Sequence, residues 1–197
     1  MPSPNALKIY EPGGIYHVFN RGVDKTNIFL SEDDYKYFLY LLERYLLPPN
    51  KFNAYRVKNY HNRIDLLAYT LMPNHYHLLI KQVDTTGMQE FVQSLCLSYA
   101  TRFNKNHKRV GHLFQDRYKA TRIKDILSLL RVSKYIHRNP SELDADIFKY
   151  QFSSIRNYIG STELIDKYVD SSEIMQYLDN DSSLYRNFMQ ELSLHEL

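Results

Sequence analysis

Four stretches of the chain have the apolar runs or the alternation typical of β-strands, and three have apolar residues at helical spacing. The strand-like stretches are Ile15–Asn20, Ile64–Met72, His75–Val83 and Arg117–Lys124. The helical stretches follow Ser31, include Met88 to Tyr99, and run from Ile126 to Asn139. This order predicts an α+β fold: a ferredoxin-like βαββαβ antiparallel sheet with helices on one face, and a further helix after the last strand.

Residues with known capping preferences mark the ends of the predicted helices. Ser31 precedes three acidic residues, which the positive end of a helix dipole stabilises, and Pro48–Pro49 ends the same helix. Asp125 stands where the N-cap of the third helix is expected, and Pro140 ends that helix. We therefore predict one domain over residues 1–140, followed by a mostly helical C-terminal appendage over residues 141–197.

Composition excludes several classes of protein. Hydrophobic residues make up 44% of the 197 residues, enough to bury a core, so a chain disordered throughout is excluded. No apolar run approaches the ~20 residues of a membrane span, and the first residues lack the apolar segment of a secretory signal. Cys96 is the single cysteine, which excludes an intramolecular disulfide and a cysteine-rich zinc site. We expect a cytoplasmic protein without membrane contacts.

Charge is distributed unevenly along the chain. Residues 101–140 hold 11 Lys and Arg against two acidic residues, whereas residues 141–197 hold 4 Lys and Arg against 11 acidic residues. A basic segment with interspersed aromatic residues indicates a nucleic-acid partner, although a basic surface facing solvent is the common alternative. The candidate DNA-binding residues are Arg117, Lys119, Arg122, Lys124, Arg131 and Arg138.

Two histidines stand two positions apart on the predicted third strand. Strand side chains alternate between faces, so His75 and His77 point to the same side while Tyr76 points to the other. Neighbouring imidazoles can supply two adjacent ligands to a metal ion, but such a pair is often only two polar strand residues. Most other histidines are interpreted as structural or surface residues, and His137 is expected to face the core.

One tyrosine stands apart from the apolar side of its helix. That side is predicted to comprise Ile126, Leu129, Leu130, Ser133, Ile136 and His137. Tyr135 falls away from it, near Arg131 and Arg138, which favours a chemical role over a core role. Asn139 lies one turn further on the same side, so its amide oxygen is a candidate third metal ligand. Tyr99 is a rival nucleophile, but its spacing places it with core residues.

Four motifs in sequence order resemble a known family. Met72–Leu79 (MPNHYHLL) resembles the HUH signature of single-tyrosine transposases. His17–Gly22 (HVFNRG), Gly111–Ala120 (GHLFQDRYKA) and Lys134–Pro140 (KYIHRNP) resemble the REP-associated tyrosine transposases within that superfamily. Together the motifs cover roughly residues 13–160, and their joint occurrence makes the resemblance specific.

The resemblance implies a function for these residues. His75, His77 and Asn139 would hold Mg²⁺ or Mn²⁺, and Tyr135 would form a covalent bond to a 5′-phosphate and leave a free 3′-hydroxyl. The substrate would be single-stranded DNA beside a palindromic repeat folded as a hairpin. Residues 1–140 would then be the catalytic domain of a metal-dependent DNA strand transferase, and no organic cofactor is implied.

Several alternatives remain open at this stage. A transposase-derived protein could bind hairpin DNA or RNA without cutting it. A metal-dependent phosphodiesterase could use water as the nucleophile, with Tyr135 in a structural role. The resemblance also leaves the assembly open, because the wider class often forms homodimers that combine the histidines of one chain with the tyrosine of the other, whereas the REP-associated branch includes monomers.

Overall fold

Four antiparallel strands form one sheet, in the spatial order β2-β3-β1-β4. The computed structural model describes residues 10–49, 58–161 and 165–191. The strands are β1 (Ile15–Arg21), β2 (Ile64–Met72), β3 (His75–Gln82) and β4 (Lys119–Ile123). The helices that alternate with them or follow them are α1 (Glu32–Leu46), α2 (Gly87–Asn106) and α3 (Ile126–Arg138). The prediction of a ferredoxin-like βαββαβ sheet is confirmed.

The helix ends lie close to the predicted capping residues. Helix α1 begins directly after Ser31, and the carboxylate of Asp34 accepts the backbone N–H groups of Leu30 (2.9 Å) and Ser31 (3.0 Å). Asp125 caps α3, because its side chain accepts the backbone N–H of Ser128 at 2.8 Å. Each cap satisfies N–H groups that have no partner inside the helix.

The first face of the sheet packs against α1 and α2. Tyr76, Leu78 and Ile80 of β3 point to this face, as the alternation along the strand requires. Their largest partners are aromatic, including Phe38 from α1 and Phe91 from α2, and all five side chains are fully buried. This face therefore carries the larger hydrophobic core.

The second face of the sheet packs against α3 and the C-terminal part of the chain. A register shift between Leu66 and Ala68 places a β-bulge in β2, so Leu67 and Ala68 both belong to the second core while Leu66 belongs to the first. The remaining fully buried members of the second core are Leu79, Ile136, Ile155, Tyr158, Ile174, Tyr185 and Met189. Where the sequence predicts a division at residue 140, side chains from both sides of it share one core.

The chain after residue 140 forms short helical segments. They include α4 (Ser172–Met175), α5 (Ser182–Gln190) and 3₁₀ turns, and residues 162–164 and 192–197 of the predicted segment lie outside the described residues. The same part of the chain covers the outer edge of β2 through bridges from Ser153 to Thr70 and from Val169 to Leu66. Within the described ranges, no helix combines the length and apolar composition needed to cross a membrane.

Candidate active site

A groove of about 460 Å³ opens at one end of the second face of the sheet. Its walls come from the end of β1, the start of β3, the segment before β4, and α3. The pairing of Arg21 with His75 and of Phe19 with His77 brings the end of β1 beside the predicted histidine pair. Tyr135 from α3 lines the same groove, so the structure brings together the predicted nucleophile and the predicted metal ligands.

His77 contacts a second histidine, His17, which was among the histidines interpreted from the sequence as structural or surface residues. His77 is only 4% exposed, and its Nδ1 lies 2.8 Å from Nε2 of His17 on β1. The two rings stack with centroids 5.0 Å apart. Nε2 of His77 has no hydrogen-bond partner in the described part of the chain. If His77 donates from Nδ1 to His17, the lone pair on Nε2 stays free to bind a cation.

His75 has more oxygen partners than its neutral ring has protons. Its Nδ1 lies 2.6 Å from Oδ1 of Asn74, and its Nε2 lies 3.0 Å from Oδ1 of Asn139. A neutral imidazole carries one N–H, so with both amide oxygens turned to the ring one of these two contacts joins two acceptors. Asn139 is buried, and its Nδ2 has no partner among the described residues. A cation that binds Nε2 of His75 and Oδ1 of Asn139 would relieve the contact between acceptors.

Burial keeps the histidine rings of the groove uncharged at neutral pH. It lowers the pKa of His17 to about 4, and it also lowers the pKa of His75 and places that of His77 well below the usual range. For His77, the neighbouring His17 and His75 lower the pKa further by charge repulsion. Neutral imidazoles have the lone pairs that metal ligands need.

The nitrogen and oxygen atoms exposed to the groove are suitable ligands for a divalent cation. The described ranges hold no group of three or more His, Cys, Asp or Glu side chains placed to bind a metal ion. The candidate ligands are instead two imidazoles, from His75 and His77, and the amide oxygen of Asn139. Three such ligands leave coordination positions for phosphate oxygens and water. The buried Nε2 atom of His77, which has no hydrogen-bond partner among the described residues, supports its prediction as a ligand. The negative charge of Glu142, which the sequence interpretation did not select, acts on His75 from the same groove.

Tyr135 is half exposed and lies next to the histidines of its own chain. Its ring centroid lies 5.4 Å from that of His77 and 5.9 Å from that of His17, both in edge-on geometry. Its side of α3 faces the groove, while Leu129 and Ile136 on the other side are buried, as predicted. The prediction was wrong for Ile126, which is 48% exposed because it lies at the first turn of the helix, outside the core.

Buried hydrogen bonds fix α3 against the sheet. The Thr70 hydroxyl of β2 donates to the backbone oxygen of Ile136 at 2.7 Å. Next along the helix, the fully buried His137 bonds the Tyr185 hydroxyl at 2.6 Å through Nδ1 and the Ser154 hydroxyl at 2.8 Å through Nε2. The next two residues in the chain, Ile136 and His137, make these buried hydrogen bonds and so fix the position of Tyr135. The prediction that His137 faces the core is confirmed.

The six predicted DNA-binding cations have different surroundings. Arg117 and Lys119 line the groove. Arg122 is paired with Glu11 at 2.5 Å, and Arg138 donates to the backbone oxygen of Met189 at 3.0 Å. The remaining two, Lys124 and Arg131, are exposed on the surface. Arg117 and Lys119 are thus the members of the set that the structure brings to the groove.

The rival tyrosine, Tyr99, belongs to the core on the first face of the sheet and does not line this groove. Tyr99 is 1% exposed in the core between α1, α2 and the sheet, and its hydroxyl donates to the backbone oxygen of Ile28. Burial raises its pKa well above the usual range for a tyrosine, which disfavours the phenolate. The predicted core role of Tyr99 is confirmed.

One solved structure shares the fold of this chain, and a family model matches its middle part. The chain is similar in structure to a REP-associated tyrosine transposase solved with a REP hairpin (TM-score 0.55, 13% identity, 86% of this chain and 93% of that chain covered). It is also similar to a putative transposase from Deinococcus radiodurans (TM-score 0.39, 16% identity, 70% and 96% covered). No curated protein matches the sequence. Residues 52–139, which include both predicted metal-binding histidines, Tyr135 and Asn139, match the family model described as IS200-like transposase.

Proposed function

We propose that this protein is a DNA strand transferase in which Tyr135 attacks a phosphodiester of single-stranded DNA. The phenolic oxygen forms a bond to phosphorus, and the bond from phosphorus to the 3′ oxygen breaks. The products are a 5′-phosphotyrosine and a free 3′-hydroxyl, so the energy of the phosphodiester is conserved for rejoining. The observation that carries the proposal is the half-exposed Tyr135 ring over His77, in a groove wide enough for a nucleotide.

The ligands proposed for a divalent cation, Mg²⁺ or Mn²⁺, are His75, His77 and Asn139. A cation held there would neutralise negative charge on the scissile phosphate. As a ligand through Nε2, His77 would carry its proton on Nδ1, and Nε2 of His17 at 2.8 Å would accept that proton and hold the ring. The phenolic proton of Tyr135 passes to solvent, which reaches its exposed side chain.

One chain carries every residue that this proposal uses. The Tyr135 ring lies beside His77 of the same chain, and buried polar contacts hold α3 in that position. We therefore propose that a monomer is sufficient for cleavage, with cis assembly of the site rather than exchange of tyrosine helices in a homodimer.

The proposed substrate is single-stranded DNA beside a hairpin. Three observations support it: the match of residues 52–139 to the IS200-like transposase model, the fold shared with a transposase solved with a REP hairpin, and the groove cations Arg117 and Lys119. The motifs that resemble the REP-associated branch lie at the groove, since His17 and residues 115–117 contribute to its walls or support them.

The test uses 3′-labelled single-stranded DNA with hairpins and randomised flanks, incubated with Mn²⁺ and either the wild type or Tyr135→Phe. We expect a labelled protein band that survives SDS with the wild type, and none with Tyr135→Phe, which should still retain hairpin DNA on native gels. Cleaved DNA without a protein band would show a water-using phosphodiesterase instead. Binding without cleavage by either protein would show a binding module.

A further inference from the structure

A ridge of three residues, Gln115 to Arg117, separates the groove that contains Tyr135 and His77, called the catalytic groove below, from a second groove. The second groove has a volume of about 590 Å³ and lies between the exposed side of α2 and the segment that leads to β4. Gln115, Asp116 and Arg117 line both grooves. The ridge is therefore the place where a strand bound in the catalytic groove meets a neighbouring cavity.

Hydrogen bonds to β1 and within the ridge fix its backbone. The N–H of Gln115 donates to the backbone oxygen of Arg21 at 2.9 Å, and the amide nitrogen of Asn20 donates to the backbone oxygen of Asp116 at 3.0 Å. The side chain of Asp116 accepts the backbone N–H of Arg117 at 2.7 Å. A ridge held in this way presents its side chains at low entropic cost on binding.

The two longer side chains of the ridge are exposed and uncommitted. Gln115 and Arg117 make no side-chain hydrogen bond or ion pair with any residue that the structure describes. Arg122 on the same sheet edge is instead paired with Glu11, and Arg138 is bonded to Met189. A guanidinium fork and a carboxamide without partners are the groups that recognise base edges, Arg for guanine and Gln for adenine.

The second groove offers an apolar surface beside these polar groups. Leu97 of α2 lines it and is 67% exposed, and Phe114 forms part of the opposite wall. An aromatic side chain beside an open apolar surface suits an unpaired base, which stacks on such surfaces. Lys119 lines the other groove, as Tyr135 does, and its ammonium lies 5.9 Å from the centre of the Phe19 ring.

We propose that the ridge reads the unpaired nucleotides next to the scissile phosphate, with Arg117 selecting guanine and Gln115 selecting adenine at a neighbouring position. The guanine selected by Arg117 enters the second groove, while its phosphate stays in the groove that contains Tyr135. This inference rests on the proposed function, because it assumes that single-stranded DNA lies in the catalytic groove. Residues 115–117 would then determine sequence specificity, in addition to contributing positive charge through Arg117.

Binding selection tests the inference without requiring cleavage. Hairpin DNAs with six randomised unpaired nucleotides on each side are bound to the wild type in EDTA at two salt concentrations, and the retained strands are sequenced. We expect guanine at one position to be preferred about tenfold or more, a discrimination typical of one bidentate contact. In Arg117→Lys this preference disappears while the salt dependence is unchanged, because lysine keeps the charge but loses the fork.

Two further variants complete the design. Gln115→Ala should relax selection at a neighbouring position only. Lys119→Ala, the matched control from the same groove, should weaken binding of all sequences equally and lower the salt slope by about one. An unchanged guanine preference in Arg117→Lys, or the absence of any preference in the wild type, overturns the inference.

The proposed function and the inference fail in distinguishable ways. Absence of the covalent Tyr135 adduct contradicts the proposed function, whatever the selection shows. An adduct that forms equally on all flanking sequences leaves strand transfer intact and contradicts base recognition by the ridge.

Discussion

The two faces of the sheet differ in what holds their side chains, although the same strands supply both. On the first face, Tyr76, Leu78 and Ile80 pack with aromatic residues of α1 and α2 in a core that is mostly apolar. On the second face, His75 and His77 lie beside a smaller core in which polar side chains are also buried. The alternation of β3 thus places residues of the larger core and the proposed metal ligands at adjacent positions of one strand.

The second face needs buried polar contacts because they fix the position of α3. An apolar core tolerates small shifts of a helix, whereas a nucleophile must be held within a fraction of an ångström of its target. The bonds of His137 to Tyr185 and Ser154, and that of Thr70 to Ile136, are directional and fix the rotation of α3. Because two of these partners come from the chain after residue 140, that segment positions Tyr135.

Removal of both groove histidines should have the largest effect. In His75→Ala with His77→Ala, cleavage is expected to fall by several orders of magnitude, because the charge on the scissile phosphate is no longer neutralised. The measurement is adduct formation after EDTA treatment and replenishment with Mn²⁺. Full activity of the double variant would exclude both histidines as ligands.

Substitution on the first face should affect stability instead. Tyr76→Ala removes a fully buried ring and its hydroxyl contact with Cys96, which should lower the free energy of unfolding by about 3–5 kcal/mol. The adjacent His77→Ala is the matched control, with a much smaller loss, because relief of its unpartnered Nε2 offsets the lost packing. Urea unfolding of the two variants measures both values, and equal losses would contradict the division between the faces.

The buried His137 should make stability depend on pH. Burial lowers its pKa to about 3 in the folded protein, below the usual 6.5, so the unfolded chain binds more protons between these values. The free energy of unfolding should therefore fall as pH drops below 6.5, by about 3 kcal/mol at pH 4 from this residue.

The control for that effect is His137→Gln, which keeps hydrogen-bonding groups but does not titrate. Its unfolding free energy in EDTA should change less between pH 6.5 and pH 4 than that of the wild type. Parallel pH profiles of the two proteins would show that His137 does not contribute to the loss of stability in acid.

Loss of His17 should have the smallest of these effects. His17→Ala removes the hydrogen-bond partner of His77 Nδ1, so Mn²⁺ affinity is expected to fall about 10–100-fold, as is typical when the partner of a ligand is removed. Calorimetric titration with Mn²⁺ measures this directly, and His17→Gln should restore part of the affinity. Unchanged affinity in His17→Ala would limit His17 to packing.

Periodicity in the sequence correctly predicted the local geometry of several site residues. The period of two places His75 and His77 on one face, and the helical period places Tyr135 away from Leu129 and Ile136. Both are properties of neighbouring residues on one element, so no long-range contact is needed to infer them. The helical period failed for Ile126 because a residue in the first turn lies beyond the edge of the core.

Tertiary structure alone decided which elements meet at the groove. His17 and His77 are 60 residues apart, and their contact depends on the register in which Phe19, rather than His17, pairs with His77. The pairing of Tyr185 and Ser154 with His137 likewise joins segments that no local pattern relates. Sequence by itself determined the elements, their faces and the candidate residues, because these follow from local periodicity. Strand register and the packing of the C-terminal segment, which are set by the sum of many distant contacts, decided how those residues form a site.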